Sequence, residues 1–313
     1  MPALSASAPG KAILFGEHAV VYGQPAIAIP VFQVQAKALI KADIQAPEGR
    51  IWISSELVGL DSDLEALESN NPLKLTIKNT LKHYGIERAP AFRLKIDSSV
   101  PVAAGLGSGA AVSAAIARAV AGFLGQEISD GEVSEIAHES EKVYHGTPSG
   151  VDSTVVSFKQ AVYFEKGRPL EFVEIARPFS LLIGDTGVRS NTREVVDDVR
   201  EAWKQNPESF EGLFKAVGEI SLQGRKALRL GNVEHTGKLM NENHALLIKM
   251  DVSSPELDDL VQAANQAGAL GAKLSGGGRG GNMLALAAEG TENRIAKALT
   301  EAGAVSVINT RVE

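Results

Sequence analysis

The chain has 313 residues, a formal net charge of −7, 44% apolar and 22% charged side chains, and no cysteine. That length allows a sizeable core and two domains, and the composition is that of a globular protein rather than a disordered one. Disulfides and thiolate metal sites are excluded, and no Lys/Arg-rich run supplies the basic footprint of a nucleic-acid partner. The six histidines lack HxxxH-type spacing, which argues against structural zinc. The opening Met-Pro-Ala-Leu-Ser-Ala-Ser has no basic stretch leading into an apolar run, and no segment nears the roughly 20 apolar residues of a membrane span. A cytoplasmic protein with no membrane partner is the expectation.

In chain order, residues 12–15 and 27–40 read as strands, punctuated by Gly16, Gly23 and Pro25. A short strand follows at 51–54. Leu73, Ile77, Leu81 and Tyr84 recur at helical spacing and predict a helix over 72–84. Residues 92–96 alternate as a strand. The Ala-rich run 110–124 predicts a helix, as does 132–144. Strands are expected at 151–157 and 160–164. The character changes near Pro178. A buried strand at 179–184 precedes the capping box Asn191-Thr-Arg-Glu194, which starts a helix. Three helical segments fill 210–250 and 255–267. A strand at 283–286, a helix near 292–301 and a strand at 305–309 complete an α+β pattern of two mixed layers.

Two glycine-rich segments and a few charged residues carry the chemistry. Residues 101–111, Pro-Val-Ala-Ala-Gly-Leu-Gly-Ser-Gly-Ala-Ala, join a predicted strand to a predicted helix. Glycine lets backbone approach a ligand closely, and a helix start aims unpaired N–H groups at it, which suits a polyphosphate. The loop has no Walker-type GKS or GKT ending and does not read GxGxxG. Alone, it is a phosphate cradle or an ordinary turn before a stable helix. Asp152 closes the turn-rich run His145-Gly-Thr-Pro-Ser-Gly-Val-Asp152, at the start of a predicted strand. There it could take a hydroxyl proton or cap the turn. Glu141 borders the apolar stripe Val133, Ile136, Ala137, Ser140 and Tyr144, so it needs a metal ion or a basic side chain such as Lys142 as partner. Lys11 opens a strand, with Glu17 and His18 in the following turn; a lysine near an aspartate base stabilises a developing alkoxide, and otherwise it is a surface lysine. The run Ser275-Gly-Gly-Gly-Arg-Gly-Gly281 is too glycine-dense for a simple linker between a helix and a strand.

These pieces, in this order, resemble the GHMP kinase superfamily over nearly the whole chain. The motifs are PGKAILFGEH, PVAAGLGSGAA and KLSGGGRGGN, and the forms KAILFGEHAVVYG and HGTPSGVDS are most similar to members that phosphorylate mevalonate. The resemblance implies a two-domain GHMP kinase fold with its active site in the cleft between domains. Residues 1–178 would form a ribosomal protein S5 domain 2-like domain and residues 179–313 a ferredoxin-like one. It implies ATP and Mg²⁺ as cofactors, with Pro101, Ala104, Gly105, Leu106, Gly107, Ser108, Gly109 and Ala110 around the nucleotide. Asp152 matches the catalytic aspartate and Lys11 the active-site lysine. Glu141, eleven residues before Asp152, matches the Mg²⁺-binding glutamate, with Ser108 as a further ligand. Glu17, His18, Ser149, Thr192, Gly277 and Gly278 are implied on the acceptor side. Related kinases are often homodimers, and a homodimer is expected.

Two departures stand out. The central loop usually ends GLGSS, and here Gly109 replaces the second serine, so water or Ser108 is expected to take that ligand's place. Arg279 stands where the family usually has a small residue, and its charge is expected to face the phosphates. The alternatives are another GHMP kinase, acting on phosphomevalonate or homoserine, and a non-catalytic sensor of ATP and a metabolite, which only Gly109 favours. Retained Lys11, Glu141 and Asp152 favour an enzyme.

Overall fold

The computed structural model describes residues 3–102, 104–145 and 149–313. The chain runs through β1 (Leu4–Phe15), β2 (Ala26–Ala42), β3 (Ile51–Ser55), β4 (Leu60–Asp63), α1 (Pro72–His83), β5 (Phe92–Ser98), α2 (Ser108–Phe123), α3 (Asp130–His145), α4 (Val151–Phe158), β6 (Val162–Phe164) and β7 (Glu171–Phe172). It continues with β8 (Phe179–Asp185), α5 (Thr192–Gln205), α6 (Pro207–Arg229), α7 (Val233–Lys249), α8 (Pro255–Gln266), β9 (Ala269–Ser275), β10 (Asn282–Ala287), α9 (Glu292–Glu301) and β11 (Ser306–Val312). The backbone groups into two compact units. One holds Met1–Gly10, Val34–Pro101 and Gly107–Lys159; the other holds Lys11–Gln33, Val102–Leu106 and Gln160–Glu313. Among the described residues no helix is long and apolar enough to cross a membrane.

The first unit pairs β2 with β5 antiparallel, from Ala36 opposite Ser98 to Ala42 opposite Phe92. β3 runs parallel to β5 and antiparallel to β4. Alternation places Ile51, Ile53, Leu94 and Ile96 inside. α1 starts where Asn71 accepts the N–H groups of Leu73 and Lys74 and Pro72 pre-sets the first turn. α2 buries a face of small residues, among them Ala110, Ala111, Ala114, Ala117 and Ala121, so α1, α3 and α4 all reach it. A buried hydroxyl cluster joins the helices: Thr76 Oγ1 lies 2.7 Å from Ser140 Oγ and 3.2 Å from Ser113 Oγ.

Residues 151–158 form helix α4, a correction to the strand expected at 151–157. Val151, Val155 and Val156 are fully buried. Gly150 turns left-handed at φ 93°, and the hydroxyls of Ser153 and Thr154 donate to its carbonyl at 3.1 and 2.7 Å. Burial and that anchored first turn outweigh the weak strand preference of valine and threonine.

In the second unit, the sheet order β11-β8-β10-β9 puts the last strand beside the first, then the third and the second. All its pairings are antiparallel, giving the ferredoxin-like arrangement. α5 starts at Asn191, whose side chain accepts the Arg193 N–H and donates to Glu194 at 2.8 Å. Leu182, Phe214, Leu247, Leu260, Leu274 and Leu299 contribute to the core. The second glycine run joins strands β9 and β10 rather than a helix and a strand. Residues 269–275 are a strand paired with β10, with a register shift at Leu270, that the small residues Ala-Leu-Gly-Ala had masked. Glycines at α7 and β9 bring backbone onto backbone. A Cβ on Gly237 would sit 2.5 Å from the Leu270 carbonyl oxygen, and one on Gly271 would collide with the Gly237 carbonyl.

Neither carbonyl can swing away as a side chain would. Gly271→Ala is therefore expected to lower the unfolding free energy by about 3 kcal/mol in urea titrations. A change below about 0.5 kcal/mol, the range of neutral surface changes, would contradict this packing.

Candidate active site

In the second unit the N-terminal motif is fastened to β9 and the loop after it. Ser275 Oγ accepts the Ile13 N–H at 3.1 Å and donates to the Ile13 carbonyl at 3.0 Å. Lys11 is almost wholly buried, and its backbone N–H donates to the Leu106 carbonyl at 3.0 Å. Glu17 forms an ion pair with Lys273, and both side chains are wholly buried. Lys273 also donates to the Leu274 carbonyl at 2.6 Å.

His18 takes a positive-φ conformation (φ 58°, ψ −49°) and holds Nε2 2.9 Å from the Gly277 carbonyl. A carbonyl only accepts, so Nε2 carries the proton and Nδ1 is left as an acceptor. Burial pushes the His18 pKa from 6.5 to about 4; the Gly277 carbonyl opposes that shift and the Arg279 charge adds to it. The ring is neutral at pH 7.

Residues 276–281 are pinned through backbone. The Arg279 N–H donates to the Val252 carbonyl at 2.8 Å and the Gly281 N–H to the Val188 carbonyl at 2.9 Å. Thr186 returns both its N–H and its hydroxyl to the Gly281 carbonyl, each at 2.9 Å. Gly278 has φ 80°, and any Cβ there would collide with the Val252 carbonyl. A Cβ on Gly277 would stand 2.9 Å from Thr192 Oγ1, so Gly277 and Thr192 pack side by side. Arg279, expected from the sequence to face the phosphates, is tied to acidic and carbonyl groups of the protein. Its guanidinium is engaged by the Asp198 carboxylate, by the Asp251 carbonyl at 3.1 Å and by the Asp251 carboxylate at 3.5 Å. The leading half of the first glycine loop is held in this unit too. Arg189 donates to the Val102 carbonyl at 2.7 Å, and Asn282 donates to the Ala104 carbonyl. Gly105 faces the Ser275 carbonyl closely.

The second unit thus brings together Lys11, Glu17, His18, Ala104, Gly105, Leu106, Thr192, Gly277 and Gly278. The first unit holds Pro101, Gly107, Ser108, Gly109, Ala110, Glu141, Ser149 and Asp152. There Gly107 turns left-handed at φ 70° and α2 begins at Ser108, with Gly109 exposed in the first turn and Ala110 buried. A helix start of this kind points unpaired N–H groups outward, an arrangement that favours an anion. The Ser108 hydroxyl lies 3.4 Å from the Val100 carbonyl. Glu141 is buried on α3, and Lys142 pairs with Glu139. A buried carboxylate and a hydroxyl on packed helices α3 and α2 are oxygen donors that fit Mg²⁺, which takes one or two carboxylates and completes its shell with phosphates and water. Asp152 sits half-buried in the first turn of α4, and Ser149 Oγ accepts the Val151 N–H at 3.4 Å. Residues 146–148 of the HGTPSGVDS motif lie outside the described residues.

Sequence reasoning missed Lys273, Ser275 and Asn282 as parts of this frame. One signal was legible: a lysine inside an otherwise small and apolar strand needs a buried partner.

Family models for the N-terminal domain of GHMP kinases and for their C-terminal domain match residues 71–160 and 225–305. A mevalonate kinase of Thermococcus gammatolerans is 37% identical, over 97% of this chain and 94% of that one. Two crystal structures superpose closely, each at 28% identity and a TM-score of 0.86. The L. major mevalonate kinase in complex with R-mevalonate matches over 99% of this chain and 95% of its own. The Methanococcus jannaschii mevalonate kinase matches over 100% and 99%. The chain belongs to the GHMP kinases and, within them, to the mevalonate kinases.

His244, whose Nε2 lies 3.3 Å from Asp258, is also held down to about 4 by burial. Between pH 6.5 and 4 both His18 and His244 bind protons in the unfolded chain but not in the folded one. Their contribution to stability is complete above the unfolded value and is lost as the pH falls through that window. One such histidine adds at most about 1.4 kcal/mol per pH unit to the slope. In urea titrations from pH 7 to 4, His18→Gln is expected to flatten the slope by nearly that amount, and an unchanged slope would contradict the buried neutral ring.

Proposed function

We propose that the protein transfers the γ-phosphoryl group of ATP to the C5 hydroxyl of mevalonate, giving 5-phosphomevalonate and ADP. The observation that carries this reading is likeness to mevalonate kinases along almost the entire chain, with Lys11, Glu141 and Asp152 all retained at the motif positions. Asp152 takes or orients the C5 hydroxyl proton, and Lys11 stabilises the oxygen as charge develops on it. The N–H groups at the start of α2, with Pro101 and residues 104–110, bind the nucleotide phosphates. Glu141 and Ser108 hold Mg²⁺, which when bound neutralises charge on the transferring phosphates. Gly109 contributes only its backbone, so no second serine hydroxyl is available to the metal. His18, through its unprotonated Nδ1, joins Ser149, Thr192, Gly277 and Gly278 in orienting the acceptor. Such an enzyme works in the cytoplasm as a homodimer.

The test is ADP release with Mg²⁺-ATP and, in turn, mevalonate, 5-phosphomevalonate, homoserine and galactose. Turnover with mevalonate alone is expected, with kcat falling about 1,000-fold in Asp152→Asn. Turnover with a different alcohol would overturn the substrate assignment, and wild-type kcat in Asp152→Asn would overturn the role of Asp152.

A further inference from the structure

Beneath the second glycine loop lies an ion pair with no access to water. Glu17 follows the end of β1 and Lys273 sits in β9, and neither side chain exposes any surface. Burial raises the Glu17 pKa and lowers that of Lys273, while their mutual attraction opposes both shifts. Such a pair contributes little net stability, because desolvating two charges offsets most of their attraction. Its geometry is one-sided as well. Among the described residues Glu17 Oε2 is buried without a hydrogen-bond partner, and Lys273 supplies the carboxylate's side-chain hydrogen bond. Lys273 keeps the Leu274 carbonyl as a second acceptor. What the pair holds in place is specific. One residue after Glu17 comes His18, strained at φ 58° and bound to Gly277; two residues after Lys273 comes Ser275, bound twice to Ile13.

We infer that Glu17 and Lys273 are positioning residues: their buried pair fixes the turn after β1 against β9, so that His18 is held in its positive-φ conformation on the Gly277 carbonyl with Nδ1 presented to the acceptor alcohol. Glu17 therefore acts through His18 rather than by touching the acceptor. The kinetic part of this inference rests on the proposed reaction, whereas the placement of His18 does not.

The imidazole of His18 reports its placement directly. Its pKa near 4 comes from burial, the Gly277 carbonyl and Arg279, and neither Glu17 nor Lys273 is among the causes. A change in its titration when the pair is altered therefore reads position rather than a lost charge. The experiment follows the histidine ring signals by NMR from pH 4 to 8 in the full chain, with His18→Gln to assign the signal. The variants are Glu17→Gln, Lys273→Met and the double variant. The double variant keeps the approximate volume of both side chains and removes both members of the buried pair together, which makes it the form that folds most readily. The His18 pKa is expected to rise by at least one unit toward 6.5 in each folded variant. In kinetics, KM for mevalonate is expected to rise about tenfold while KM for ATP stays within twofold. A His18 titration unchanged in the folded double variant would overturn the inference whatever the kinetics show. If the wild type phosphorylates a different alcohol, the titration stands as the test and the KM split is read with that alcohol.

Discussion

The attachment of the N-terminal motif to β9 is the constraint on which the candidate site depends. Residues 11–18 and 273–277 are some 260 positions apart, yet Ile13, Glu17 and His18 meet Ser275, Lys273 and Gly277 in turn. Each contact is of a different kind: a two-way hydroxyl bridge, a buried ion pair and an imidazole on a carbonyl. A one-residue slip of β9 would break all three at once and turn its buried side chains to the opposite face. The register of β9 thus sets where Lys11 and His18 stand.

The glycine loops extend this frame by backbone contact. Residues 276–281 are held at Arg279 and Gly281 by the carbonyls of Val252 and Val188, and at the Gly281 carbonyl by Thr186. Gly278 is required there because a side chain has no room beside Val252. Arg279, the unusual residue of the motif, closes the loop onto Asp198 and Asp251. Ordering the loop before a ligand arrives reduces the entropy lost on binding. Dense glycine thus serves tight packing in this loop rather than mobility.

Much of this was legible in the chain. The helix at Glu292–Glu301, the capped start at Asn191 and the strand from Phe179 follow local rules of capping and periodicity, and those rules decide such elements. The three motifs pointed to the family before any coordinates. What escaped were features settled by distant partners. Val151–Phe158 carries strand-preferring residues, and its helix is decided by burial of three valines and hydroxyl bonds to the Gly150 carbonyl. β9 is built of small residues with weak preference, and its partner β10 defines it. Lys273 carried no separate reading in the sequence because its partner Glu17 lies at the other end of it. Glu141 shows the reverse case: helical spacing alone indicated its burial, but not what the carboxylate is for.

The central claim is that the glycine loop and the N-terminal motif are preassembled in the free protein. Amide hydrogen exchange without nucleotide or acceptor tests it most directly. The N–H groups of Lys11, Ile13, Thr186, Arg279 and Gly281 all donate to identified acceptors. The account expects them to exchange on the timescale of the surrounding sheet, orders of magnitude slower than unstructured chain. Exchange of Arg279 and Gly281 at unstructured rates, slowing only when ligands are added, would show that ligands assemble the loop and would contradict it.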